Sequence, residues 1–309
     1  MMNLDDIAAA CQNHIPILRP DEDLPEWWAG APSVVRAEDG AFYLAARMRE
    51  GRSPRGQRGY EIRILKSEDG RVFSPIHHIR REDAGVPVFE RPCLVRHPHT
   101  GQYRLYACSG LEHGWSILMF DDVDDPADID PKTARVVLRA HYPDDGFVHV
   151  TGYKDPVVVY TGGMWHMFVI GTDRVERLFH FVSGDGIEWT AAQDGPVMEN
   201  VGWHNYFTRP ASVLPLAVGY LMVYEGSHVL WRDPVYNIAT GLAYSPDLKT
   251  FYDLTPDVPL LKSATPGDYH TWRYSHWLSV EDKIYVYAEV ACPNGTNEVR
   301  LFILDRWDQ

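Results

Sequence analysis

An internal repeat constrains this chain more than any other feature. Its unit is a small or polar residue and a proline, then a short apolar run, a Gly or charged turn, and an aromatic-aliphatic run. It reads APSVVRAEDGAFYLAA from Ala31, RPCLVRHPHTGQYRLYAC from Arg91, DPVVVYTGGMWHMFVIG from Asp155 and RPASVLPLAVGYLMVYEG from Arg209. A looser copy, RYSHWLSVEDKIYVYAEV, starts at Arg273. The anchors at positions 32, 92, 156, 210 and 274 are spaced by 60, 64, 54 and 64 residues. Self-similarity at one period marks a repeat architecture, and short alternating runs between turn signals are strands joined as hairpins.

A fainter signature follows three of the hairpins: Ser67, Asp69, Gly70 then Phe73; Ser183, Asp185, Gly186 then Trp189; Ser245, Asp247, Leu248 then Phe251. The Ser and Asp side chains fold a turn onto their own backbone, and the aromatic returns the chain to the core. Each repeat has room for four strands. Five such units predict an all-β, five-bladed β-propeller, a single domain over residues 1–309, which protects its sheet edges by closing into a ring. Only 36 residues remain from Tyr274 to the end, enough for three strands, so the segment at His14–Leu18 is expected to supply the fourth. The stretch LDDIAAACQ before it predicts a helical turn or two. An aromatic content of 12%, with 24 Gly and 22 Pro, suits strands and tight turns.

Charge narrows the ligand. With 29 basic and 43 acidic residues the net charge is −14, which repels phosphate backbones and anionic lipids at long range, and no basic patch offsets it. Nucleic-acid and membrane partners are therefore not expected; neutral or cationic ligands fit better. The N-terminus carries Asp5 and Asp6 where a signal peptide needs basic residues, and a cytoplasmic location is expected. Cys11, Cys93, Cys108 and Cys292 lack metal or redox spacing and read as reduced core residues. Phosphate-loop, dinucleotide, serine-hydrolase, zinc-protease and EF-hand motifs are absent, so no cofactor is expected. The central channel is the one place left for a metal such as Ca²⁺.

Chemistry is sought where a propeller converges. The residues before the anchors are Ala31, Arg91, Asp155, Arg209 and Arg273, with Glu90 beside Arg91, and Glu225 and Glu289 recur at matching places in the following strands. Such a ring is either a polar ligand site or a set of structural ion pairs between blades. Three polar-aromatic clusters precede anchors and supply faces for a sugar ring: Glu26, Trp27 and Trp28; His204 and Asn205 beside Trp203; and the run from Asp268 through Arg273, Tyr274 and His276 to Trp277. His276 is expected at the inner start of the last blade, as a core histidine or a channel ligand.

Lys154-Asp155-Pro156 followed by Trp165-His166-Met167, with the Ser183 turn, resembles the third-blade signature of five-bladed glycoside hydrolases of families 43 and 32. The run Gly219 to Glu225, with Gly241-Leu242-Ala243 and Pro259-Leu260-Leu261, is similar to family 130 mannoside phosphorylases and hydrolases. The resemblance implies a propeller acting on a glycoside or oligosaccharide, with Asp155 as a catalytic-site carboxylate. This chain departs from it in having Ala31 where families 43 and 32 have an Asp, and Phe207-Thr208-Arg209-Pro210 where they have the acid Glu. A relocated pair is then expected, Asp155 as base and Glu225 as acid, with Glu26, Glu90 and Glu289 as further candidates. Phosphorolysis by way of the ring arginines, and a catalytically silent sugar-binding propeller, are the alternatives.

Overall fold

A computed structural model describes residues 4–51, 57–141, 150–263, 265 and 269–306. Helix among them is confined to α1 (Leu4–Ala10) and three single 3-10 turns, and no helix is long and apolar enough to cross a membrane. β1 (Ile15–Leu18) follows α1. The first repeat folds as β2 (Trp28–Arg36), β3 (Phe42–Arg49), β4 (Gly59–Ser67) and β5 (Ser74–Arg80). The second is β6 (Cys93–Arg96), β7 (Tyr103–Leu111), β8 (Gly114–Met119) and β9 (Arg135–Arg139). The third is β10 (Tyr153–Thr161), β11 (Met164–Asp173), β12 (Val175–Ser183) and β13 (Thr190–Ala191). The fourth is β14 (Phe207–Pro215), β15 (Tyr220–Ser227), β16 (Ala239–Ser245) and β17 (Tyr252–Asp253). The fifth holds three strands, β18 (Trp272–Val280), β19 (Lys283–Ala291) and β20 (Asn297–Asp305).

Successive strands within each repeat pair antiparallel, and β1 pairs antiparallel with β20, Ile15 opposite Leu301 and Leu18 opposite Val299. The first strands of the repeats touch in turn: β2 meets β6, β6 meets β10, β10 meets β14, β14 meets β18 and β18 meets β2. The core is divided accordingly. Each of the five hydrophobic clusters lies between two neighbouring meanders, for example Leu44 and Ala46 of the first against Tyr287 and Leu301 of the fifth. The second strands are covered on both faces, which is why β3 and β19 read as nearly unbroken apolar runs.

The Ser-x-Asp turns join third strands to fourth ones as expected. Ser67 Oγ accepts from Gly70 N–H at 2.9 Å and Asp69 Oδ1 from Arg71 N–H at 2.8 Å, and Ser183 with Asp185 and Ser245 with Asp247 repeat the pattern. Gly70 needs its φ of 69° for this, and Leu248 adopts 59° at the matching place. Neighbouring meanders latch onto two of the turns, since Tyr287 O–H donates to the Gly70 carbonyl at 2.7 Å and Tyr106 O–H to the Gly186 carbonyl at 2.6 Å.

Candidate functional site

Every first strand breaks its register near its start. The ladder skips between Gly30 and Ser33, Lys154 and Val157, Pro210 and Ser212, and Arg273 and His276. In the second repeat Glu90 N–H bonds the Cys108 carbonyl at 3.0 Å and pairing resumes at Cys93 opposite Tyr106. The five bulges therefore hold residues 31–32, 91–92, 155–156, 210–211 and 274–275. Ala31, Asp155 and Tyr274 take φ values of 51°, 57° and 53° there, a left-handed conformation that costs a non-glycine residue about 1–2 kcal/mol. Bulges of this kind re-aim side chains.

Register corrects the sequence alignment by one residue in two repeats. Arg209 lies opposite Glu225 and Arg273 opposite Glu289, as Gly30 lies opposite Arg47 and Lys154 opposite Ile170. The true equivalents of Ala31, Arg91 and Asp155 are thus Pro210 and Tyr274, whereas Arg209 and Arg273 match Glu90.

Asp155 and Glu225 are held by consecutive residues of one bulge. Tyr274 O–H donates to Asp155 Oδ2 at 3.1 Å, and Ser275 N–H donates to Glu225 Oε1 at 3.2 Å. Asp155 also accepts from Cys108 Sγ–H at 3.4 Å while its own N–H points at that sulfur at 3.2 Å. Both carboxyls are buried. Glu225 Oε2 has no hydrogen-bond partner, and burial pushes the Glu225 carboxyl up to about 7 against the pull of Arg91 and Arg209.

The other two buried carboxylates are tied into ion pairs. Glu289 accepts from Arg273 at 2.7 Å, Arg47 at 2.9 Å, Asn297 at 2.7 Å and Ala31 N–H at 3.1 Å. Burial would raise its pKa, but Arg273 and Arg47 outweigh it and hold it below the ordinary value. Glu90 accepts from Arg47 at 2.5 Å, and there too burial is overcome, by Arg47 and Arg49, down to about 2. The ring arginines are likewise engaged. Arg91 donates to the carbonyls of Pro210 and Ala211 at 2.6 and 2.5 Å, and Arg209 pairs with Glu176, which Lys154 also reaches at 2.6 Å.

The aromatic clusters separate. Trp28 is buried with the Arg49, Arg58 and Arg273 guanidinium carbons 4.6, 4.8 and 4.9 Å from its ring centroid, while Trp27 is half-buried and Glu26 exposed near Arg58. His204 spends its nitrogens on Thr208 at 2.9 Å and Asp253 at 3.3 Å, and Asn205 caps Val229 N–H, so both hold local structure. Asp268 lies outside the described residues. His276 lines a cavity of about 420 Å³ between the later halves of the first strands, together with Arg91, Val34, Leu94, Val157 and Leu214. Burial and the Arg91 charge push it down to about 3, so it is neutral there. No three His, Cys, Asp or Glu side chains among the described residues cluster as metal ligands. Arg47, Arg49 and Glu176 belong to the cluster and went unread in the sequence, whereas Cys108, read as a reduced core thiol, is free and buried and also faces Asp155; of the unread three only Arg47 left a signal, its place opposite Gly30 matching Glu225 and Glu289.

No protein-family model and no curated protein matches the chain. Solved structures do: the fold is that of glycoside hydrolases and phosphorylases, the clan that Lys154-Asp155-Pro156 and the Gly219–Glu225 run resemble. A glycoside hydrolase superposes with a TM-score of 0.74 at 13% identity, covering 100% of this chain and 97% of its own. The beta-1,2-mannobiose phosphorylase from Listeria innocua, solved with beta-1,2-mannobiose, gives 0.66 at 13% identity over 93% and 94%. A thermostable family-43 glycoside hydrolase gives 0.64 at 13% identity over 91% and 90%. At this identity the likeness establishes the fold.

Proposed function

We propose that this chain is a glycoside hydrolase on a five-bladed propeller, its ring closed by β1 on β20, cleaving a small glycoside or oligosaccharide with Glu225 as acid and Asp155 as base. The cyclic contact of the five first strands supports the blade count, and the β1–β20 pairing supports the closure. One observation carries the chemistry. Two carboxyls fixed by the consecutive residues Tyr274 and Ser275 stand in unlike surroundings, one raised to about 7 with a free oxygen and the other hydrogen-bonded by a phenol and a thiol. Unlike surroundings are what acid–base division of labour requires.

In the reaction Glu225 gives its proton to the glycosidic oxygen as the bond from that oxygen to the sugar carbon breaks. Asp155 takes a proton from a water whose oxygen bonds the same carbon, so the leaving alcohol and the reducing sugar are both neutral. Glu225 is left ionised and Asp155 protonated; Asp155 then releases its proton to solvent and Glu225 takes one up, which restores both groups. Arg91, Arg209 and Arg273, the arginines on which phosphorolysis would rest, already carry partners.

The test is turnover on aryl furanosides, aryl pyranosides and short oligosaccharides, with and without phosphate. Asp155→Asn and Glu225→Gln are each expected to lower kcat by about 10²–10⁴-fold with the fold intact. Turnover that needs phosphate would make the protein a phosphorylase. No turnover, with sugars still raising the melting temperature, would make it a binding protein.

A further inference from the structure

Around Trp28 the charges do not balance. Arg47, Arg49, Arg58 and Arg273 gather there, and the carboxylates facing them are Glu90, Glu289 and Glu26. Arg47 takes Glu90 and Glu289, Arg273 takes Glu289, and Arg58 bonds the Glu50 and Glu26 carbonyls with the Glu26 carboxylate 3.8 Å away. Arg49 is left over. It is only 6% exposed, its Nε is buried without a partner, and among the described residues nothing hydrogen-bonds or ion-pairs with its guanidinium. What it touches is aromatic: the Trp28 ring at 4.6 Å and the Tyr236 ring at 6.0 Å. Its charge is felt nearby: against the cost of burial it helps Arg47 lower the Glu90 pKa, from beyond hydrogen-bond reach, and burial and the Arg49 charge both lower the Arg58 pKa.

A buried guanidinium with no anion in direct contact is costly, and a planar fork beside aromatic faces is the form in which proteins receive a carboxylate bidentately. Tyr236 and Tyr269, 5.3 Å apart and half-buried, add faces against which a sugar ring can lie. The place adjoins the carboxyl pair through shared contacts, because Arg273 stacks on both Trp28 and Tyr274 at 4.9 Å and Tyr274 bonds Asp155. We infer that Arg49 is an anion subsite that binds the carboxylate of an acidic sugar, which makes the substrate a glycoside containing a uronic acid. The substrate part of this inference rests on the hydrolase reading, and the subsite itself does not.

Calorimetric titration of the full chain with glucuronate, galacturonate, glucose, galactose and inorganic phosphate tests it. A uronate is expected to bind at least about tenfold tighter than its neutral counterpart, with an affinity that falls as salt rises. Arg49→Gln should erase that preference without lowering the melting temperature of the unliganded protein, and Arg49→Lys should restore only part of it. Equal binding of uronates and neutral sugars, or a preference that survives Arg49→Gln, would overturn the inference. So would phosphate binding through Arg49 with no uronate binding. Uronate binding through Arg49 with no turnover on any glycoside would sink the hydrolase reading and leave the subsite standing. Turnover on neutral glycosides with no uronate preference would do the reverse.

Discussion

Glu225 and Glu289 stand at the same place in successive repeats, opposite Arg209 and Arg273, and meet opposite electrostatic fates. Arg273 turns to Glu289, whereas Arg209 turns away to Glu176, and Glu289 gains Arg47 and Asn297 besides. Sequence made these two glutamates look alike; the difference lies in which neighbour each arginine prefers, and that is decided by strands far away in the chain. The consequence is a pH dependence with a definite sign. Burial raises Glu225 from its ordinary 4.5 to about 7, so folding favours its neutral form. Stability from this group is full below 4.5 and is lost as pH rises through about 7, by an amount on the order of 3 kcal/mol. Glu225→Gln, which imitates the neutral acid, should flatten that part of the stability curve and exceed wild type above pH 7 in urea unfolding. On the proposed assignment of Glu225 as acid, glycoside turnover should fall on the alkaline side of about 7, where that carboxyl has lost its proton.

At the scale of the strand, the bulge is what the repeat signature encodes. Both bulge residues leave the hydrogen-bond ladder, so proline is tolerated at either of them. That freedom explains why aligning Pro210 with Pro32 and Pro156 misplaced Arg209 by one residue, while the strands, the Ser-x-Asp turns and the Asp155 position were legible from pattern alone. The role of Arg49 and the contact of Cys108 with Asp155 were not legible, since nothing along the chain says what second-strand residues will face. Gly30 is the bulge neighbour with the least room: a Cβ there would sit 1.7 Å from Glu289 Oε2. Gly30→Ala must therefore displace the carboxylate that joins Arg47, Arg273 and Asn297. A loss of about 3 kcal/mol or more is expected in equilibrium unfolding, larger than for alanine at the open turn of Gly162 or Gly163. A cost below about 1 kcal/mol would mean that the ion-pair chain is dispensable.

At the scale of the molecule, stability depends on how the two ends of the chain meet. The last repeat contributes three strands, and its outer edge, β20, is covered by β1 from the other end of the chain. Ile15, Ile17 and Leu18 pack against the cluster shared by the fifth and first repeats, and Ile7 and Cys11 of the preceding segment enter the cluster between the fourth and fifth. The N-terminal segment thus seals two of the five inter-meander cores, and its removal also bares the polar edge of β20. A chain begun at Arg19 is expected to lose about 5 kcal/mol, the full burial of Ile7 and Cys11 and several partial ones, and to aggregate through the exposed strand. Because all five first strands touch in sequence, the loss should reach the carboxyl pair as well, so that turnover and unfolding midpoint fall together. If instead the shortened chain kept its urea midpoint and whatever turnover the full chain has, the contacts among the first strands would suffice without β1, which would be a cover rather than a clasp. Adding the missing segment back as a peptide decides between these, since a clasp is restored by a strand supplied in trans and a cover has nothing to restore.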